Sequence, residues 1–184
     1  MKKFDLKLAG YCGILAPIVM LLLILIAISY SPFSWTANAL SDLGVNGITA
    51  ILFNSSLVVC GALIFIFALG LRKILANWLG NIAIIAFIST ASALCGIGLF
   101  PENMGIIHFY FSVAFFVLLP ISLFFISLSI SAKDRKLGFV ILILSICSAL
   151  IWLLPKNGVA IHEFVASSAG SASCILLGIK LTRS

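Results

Sequence analysis

Six apolar runs, each close to the thickness of a bilayer when coiled into a helix, leave this chain very few folds. They cover about 8–30, 47–71, 75–100, 105–131, 137–154 and 159–180, the fifth being the shortest. A helix needs roughly 20 mainly apolar residues to cross the hydrocarbon core. A spanning barrel strand needs only about 10, and it alternates polar with apolar side chains. The runs here are longer and do not alternate. In lipid every backbone N–H and C=O has to be satisfied within the protein, and for an uninterrupted apolar run the helix achieves that. The expected fold is therefore all-α, a polytopic membrane protein with one six-helix transmembrane domain over residues 1–184.

Composition agrees with lipid as the solvent. Of 184 residues, 63% are hydrophobic and 9% charged, and mean hydropathy is +1.31. Soluble domains carry roughly 25% charged residues and need them to cover the surface. A net charge of +6 raises the question of nucleic acid. The cations sit in short clusters between apolar runs, however, which is the arrangement of loops beside anionic headgroups. The expected partner is the bilayer, with no nucleic acid. Met1-Lys2-Lys3 before an apolar stretch resembles a signal peptide, but that stretch exceeds the usual 7–15 residues or so, and the first helix is expected to be retained. Cys12, Cys60, Cys95, Cys147 and Cys174 all fall in apolar runs without a C-x-x-C pair, so they read as small buried apolar residues rather than a disulfide or zinc framework.

Orientation follows from the basic residues. With six spans, Lys2, Lys3, Lys7, Arg72, Lys73, Lys133, Arg135, Lys136, Lys180 and Arg183 share one side, leaving only Lys156 of the eleven on the other. The positive-inside rule places the richer side, with both termini, in the cytoplasm of a cell-membrane protein.

The chemistry-bearing residues collect on the opposite, outer side. Both histidines, His108 and His162, lie in the first turns of the fourth and sixth segments. Glu163 adjoins His162, and Asp42 and Glu102 stand in the other two outer loops, so three of the five acidic residues share that layer. Trp35, Ala39, Leu40 and Leu43 fall near helical spacing, which suggests a short interfacial helix in the first outer loop. Ionisable groups near hydrocarbon are costly and mark candidate functional sites. First-turn His and Glu also reach water, and Glu163 complements the helix dipole, so a purely structural role stands beside the functional one. Asn54, about 10 Å into the second segment, needs a partner inside the bundle, with Ser55, Ser89, Thr90 or a backbone carbonyl as the candidates. In the sixth segment Ala166, Gly170 and Cys174 form a small-residue stripe suited to close helix packing, and Pro17 and Pro120 are expected to kink their helices.

Ser41-Asp42-Leu43-Gly44, Phe53-Asn54, Gly61 and Gly98-Leu99-Phe100-Pro101 ahead of His108 resemble the prokaryotic membrane family called domain of unknown function 998, or DUF998, over most of the chain from Gly10 onward. The Ser-Asp-x-Gly element is also similar, more weakly, to one in DRAM-type and GPI-lipid-remodelling membrane proteins. The resemblance implies a six-helix integral membrane protein without an assigned activity and points to lipid-related work on the outer face. It carries over to Ser41, Asp42, Gly44, Asn54, Pro101 and His108, whereas His162 and Glu163 enter by topology alone.

Three functional readings follow. The first is an outward-facing site that binds or processes a lipid or other amphiphile, lined by Asn54 and Glu102 among others. In a hydrolytic form, His108, His162 and a carboxylate, Glu163 or Asp42, would hold zinc with one position left for water. Without a metal, His108 would act as general base oriented by Asp42, with Ser41 the nearest nucleophile. The second is a binding or electron-transfer protein in which His108 and His162 ligate a b-type haem. The third is a transporter, sensor or structural subunit. Topology has its own test: single cysteines placed at positions 34, 103 and 157 are expected to react with an impermeant thiol reagent added outside intact cells, and one at position 133 only after permeabilisation. The reverse pattern would invert the protein.

Overall fold

A computed structural model describes residues 5–155 and 157–183. Lys2, Lys3 and Lys156, three of the charges used for orientation, lie outside them. The fold is all-α, with six helices long and apolar enough to cross a membrane: α1 Leu6–Ser29, α2 Gly47–Ile74, α3 Trp78–Leu99, α4 Ile106–Ser131, α5 Arg135–Leu150 and α6 Ala160–Thr182. This is the architecture of an integral membrane protein in a lipid bilayer. Each helix packs on its chain neighbours, and α6 returns against α1, so the six form a closed ring.

Polar caps set where α1, α3 and α5 start. Asp5 accepts the amides of Lys7 and Leu8 at 2.9 and 3.2 Å, Asn77 that of Gly80 at 2.7 Å, and Asp134 that of Leu137 at 3.1 Å. Each acceptor satisfies an amide that the first helical turn leaves without a partner. The last two caps also tie the basic end of the bundle together. Asn77 Oδ1 takes the Ser129 hydroxyl of α4 at 2.9 Å, and Asp134 pairs with Lys180 of α6 at 2.8 Å. The hydrogen bond from Lys180 is the main reason the Asp134 carboxyl lies below its usual range.

Between the helices, contact is made through small residues. At the α1–α6 seam a Cβ on Gly178 would stand 2.7 Å from the Gly10 carbonyl oxygen, closer than real Cβ atoms come to backbone. The Ala166, Gly170 and Cys174 stripe is buried, and Gly170 receives Leu119 of α4. Cys12, Cys60 and Cys174 are buried, while Cys147 faces outward on α5, contrary to the reading of every cysteine as interior. An apolar run that is lipid-facing on one side and buried on the other cannot tell the two apart, because lipid and core are equally apolar.

At the end away from the basic clusters, the segment 30–46 folds over the bundle and caps it. Its expected interfacial helix is instead a short 3-10 turn, Leu40–Gly44, with Leu40 and Leu43 buried in the core rather than lying in the interface. Two bonds from the helices hold this turn down. Asn54 Nδ2 of α2 donates to the Gly44 carbonyl at 2.9 Å, and Glu163 Oε2 of α6 accepts the Leu40 amide at 2.6 Å. Gly158, Val159 and Ala160 donate their amides to the carbonyls of Thr36 and Asn38 at 2.8–3.1 Å, and a Cβ on Gly158 would meet the Ala37 carbonyl carbon at 2.5 Å. Trp35 packs edge-on against Phe164 with ring centroids 5.2 Å apart.

The ring seam at Gly178 predicts a stability effect. Gly178→Val places branched atoms against the Gly10 backbone, and overpacking of this kind costs about 1–3 kcal/mol. Thermal unfolding of the detergent-solubilised protein should shift to lower temperature accordingly; an unchanged midpoint would mean that α1 and α6 do not meet there.

Candidate functional site

α5 has only 16 residues, about 24 Å of helix, and then tightens into a 3-10 turn at Ile151–Leu153. A cavity of about 860 Å³ lies between this end of α5, α4 and the cap. Its lining is divided along its length. Ser41 from the cap, Glu102 from the 3-10 turn Glu102–Met104, His108 and Ser112 from α4 and Glu163 from α6 stand at the capped end. Below them the wall is Val113, Phe116, Val117, Pro120 and Ile121, with Ala149 and Trp152 opposite. Phe109, Val113, Val117 and Ile121 also lie on the lipid-exposed surface of α4, so the apolar part opens sideways towards the bilayer.

His108 is 7% exposed and has both ring nitrogens engaged. Nδ1 lies 2.8 Å from the Phe100 carbonyl, which only accepts, so this nitrogen carries the proton. In the neutral ring that leaves Nε2 as an acceptor, and the Ser112 hydroxyl lies 3.2 Å from it. The orienting group is therefore the last carbonyl of the α3 end rather than Asp42. Phe100 is held for this role by stacking on Phe111, with centroids 5.3 Å apart and planes 3° from parallel.

The carboxylates differ in their surroundings. Asp42 is exposed and folds back onto its own loop, accepting Asn38 Nδ2 at 2.7 Å and the Ala39 amide at 3.0 Å. Glu102 has Oε2 buried without a hydrogen-bond partner among the described residues. Burial raises its carboxyl above the usual range and the neighbouring Asp42 adds to this, while Ser41 and His108 pull it back. Glu163, 8% exposed, is committed to the Leu40 amide through one oxygen, and its backbone carbonyl accepts the Ser167 hydroxyl.

The structure thus brings Ser41, Glu102, His108 and Glu163 to one cavity, while Asp42, Asn54 and His162 are absent from its wall. Of the residues expected to take part in an outward-facing site, His108 thus lines this cavity, whereas Asp42, Asn54 and His162 are directed elsewhere. The physical reasons are local. Asn54 turns to the Gly44 carbonyl, and its Oδ1 stays buried without a partner. His162 directs Nε2 at the Leu154 carbonyl, 3.3 Å away, and packs its ring on Trp152 with centroids 5.7 Å apart. Among the described residues no three His, Cys, Asp or Glu side chains form a set that could hold a metal ion, the combination of His108, His162 and Glu163 included. Ser112 was not singled out from the sequence, although the i, i+4 spacing from His108 puts the two on one helical face.

Comparison with curated proteins and with solved structures finds no match. The family model described as protein of unknown function DUF998 matches residues 14–180, nearly the whole chain and all of the bundle that frames the cavity, and the protein therefore belongs to the DUF998 family.

Proposed function

We propose that this protein binds, and presents for processing, a lipid or other amphiphile whose polar end lies among Ser41, Glu102, His108 and Glu163 and whose chain runs down α4. The observation that carries this reading is the division of one cavity into a polar capped end and an apolar length open to the bilayer. From His108 to Ile121 the helix rises about 20 Å, enough to lead a chain past the midpoint of a hydrocarbon core of about 30 Å. Ligand sites in helical bundles take this form, mostly apolar with a few convergent polar groups. A chain entering sideways from the leaflet leaves the bilayer only in part, so little apolar surface meets water on the way in. We place the capped end outside and the termini in the cytoplasm, since Arg72, Lys73, Lys133, Arg135, Lys136, Lys180 and Arg183 cluster at the opposite end.

Val117→Trp tests the reading, because the larger ring would occupy the apolar length without touching the polar end. Binding of a fluorescent lysophospholipid to the purified protein in nanodiscs should weaken about tenfold or more, a loss of about 1.4 kcal/mol. Equal binding by wild type and variant, at unchanged thermal stability, would rule out α4 as the chain-binding wall.

A further inference from the structure

Serines inside apolar helices normally turn their hydroxyl back to the carbonyl three or four residues earlier, since no other acceptor is within reach. Ser55, Ser56, Ser92, Ser122, Ser127, Ser131, Ser167, Ser171 and Ser173 all do so here. Ser112 does not. Its hydroxyl lies instead against Nε2 of His108, the ring whose other nitrogen is held by the Phe100 carbonyl. This is the arrangement of an activated nucleophile: a hydroxyl, a base within hydrogen-bond reach, and a third group that fixes the tautomer of the base. Both side chains line the large cavity at the point where its polar end meets the apolar length.

We propose that Ser112 is a nucleophile and His108 its general base in acyl transfer from an ester-linked lipid, with Ser41 a wall residue rather than the attacking group. The proposal rests on the amphiphile reading above and deepens it by naming the bond. An acyl chain lying along Val113, Val117 and Ile121 would place its ester carbonyl beside Ser112. Ser112 Oγ bonds to the carbonyl carbon as its proton passes to Nε2, and the carbonyl electron pair moves onto oxygen. When the pair returns, the bond to the alkoxy oxygen breaks, and the leaving alcohol takes the proton from Nε2. Water then attacks the acyl-Ser112 ester, giving its proton to Nε2 and releasing a fatty acid, while Ser112 recovers its proton from the ring. The transient imidazolium donates to the Phe100 carbonyl through Nδ1 and has Glu102 close enough for an attractive charge interaction. Its cost in a poorly hydrated site falls accordingly.

A long-chain alkyl fluorophosphonate, which phosphonylates activated serines, tests the step on the full-length protein in nanodiscs. Peptide mass mapping should find the adduct on Ser112. Labelling should be lost in Ser112→Ala, fall at least about a hundredfold in His108→Gln, as general-base contributions do, and persist in Ser92→Ala on the far surface of α3. Binding of a non-hydrolysable ether lysolipid is measured on the same samples. Retained ether-lipid binding without an adduct, or an adduct mapping to Ser41, would overturn the nucleophile assignment and leave the amphiphile site standing. Loss of ether-lipid binding in wild type would instead overturn the site itself.

Discussion

The carboxylate of Glu163 sits one turn into α6, nearly buried, and takes the amide hydrogen of Leu40 across 123 residues of sequence. In a low-dielectric setting an unpaired amide or carboxylate is costly, so each group makes the other tolerable. With that bond made, the 3-10 turn Leu40–Gly44 is seated in the bundle, Ser41 faces the cavity, and the loop before α6 can lay its amides against Thr36 and Asn38. Asn54 secures the other end of the same turn at Gly44. The cap is therefore a folded lid with its own polar anchors, and the cavity exists because it rests there.

The two ends of the protein are built from the same residue types with different results. At the basic end, Asn77 and Asp134 cap helices and pair with Ser129 and Lys180, leaving charge beside charge near the surface. Polar groups at the capped end are drawn inward, some with capacity left over: Glu102 Oε2, Asn54 Oδ1 and His162 Nδ1 are buried without hydrogen-bond partners among the described residues. Buried polar groups are mostly satisfied in folded proteins, and the exceptions tend to cluster where a ligand or a reaction is accommodated. Beside the first turns of α4 the α-helical part of α5 gives way to the 3-10 turn Ile151–Leu153, and the cavity lies along that side.

Membership of the DUF998 family extends over the six helices and so describes a scaffold more than a chemistry. The chemistry of this chain's cavity lies in a hydroxyl, an imidazole and a carbonyl in series, with an apolar track leading away from them. Function in such a scaffold resides in the site rather than in the fold.

Length and apolarity of six runs determined the helical class and the number of spans, because lipid admits no other arrangement for such segments. The first-turn positions of His108 and Glu163 likewise put them in the layer where the cavity is found, since depth along a helix follows from residue count alone. Direction around the helix axis does not follow from it. His162 adjoins Glu163 in sequence, yet one turns to Trp152 and the Leu154 carbonyl while the other reaches Leu40. Asp42, adjacent to the cavity-facing Ser41, closes on its own loop instead. Ser112 looked like any helical serine until the Phe100 carbonyl fixed the His108 ring beside it. In a chain where nearly every surface is apolar, periodicity cannot separate lipid-facing from interior positions, so rotation and partner choice were decided by packing and by the few polar bonds available within the bundle.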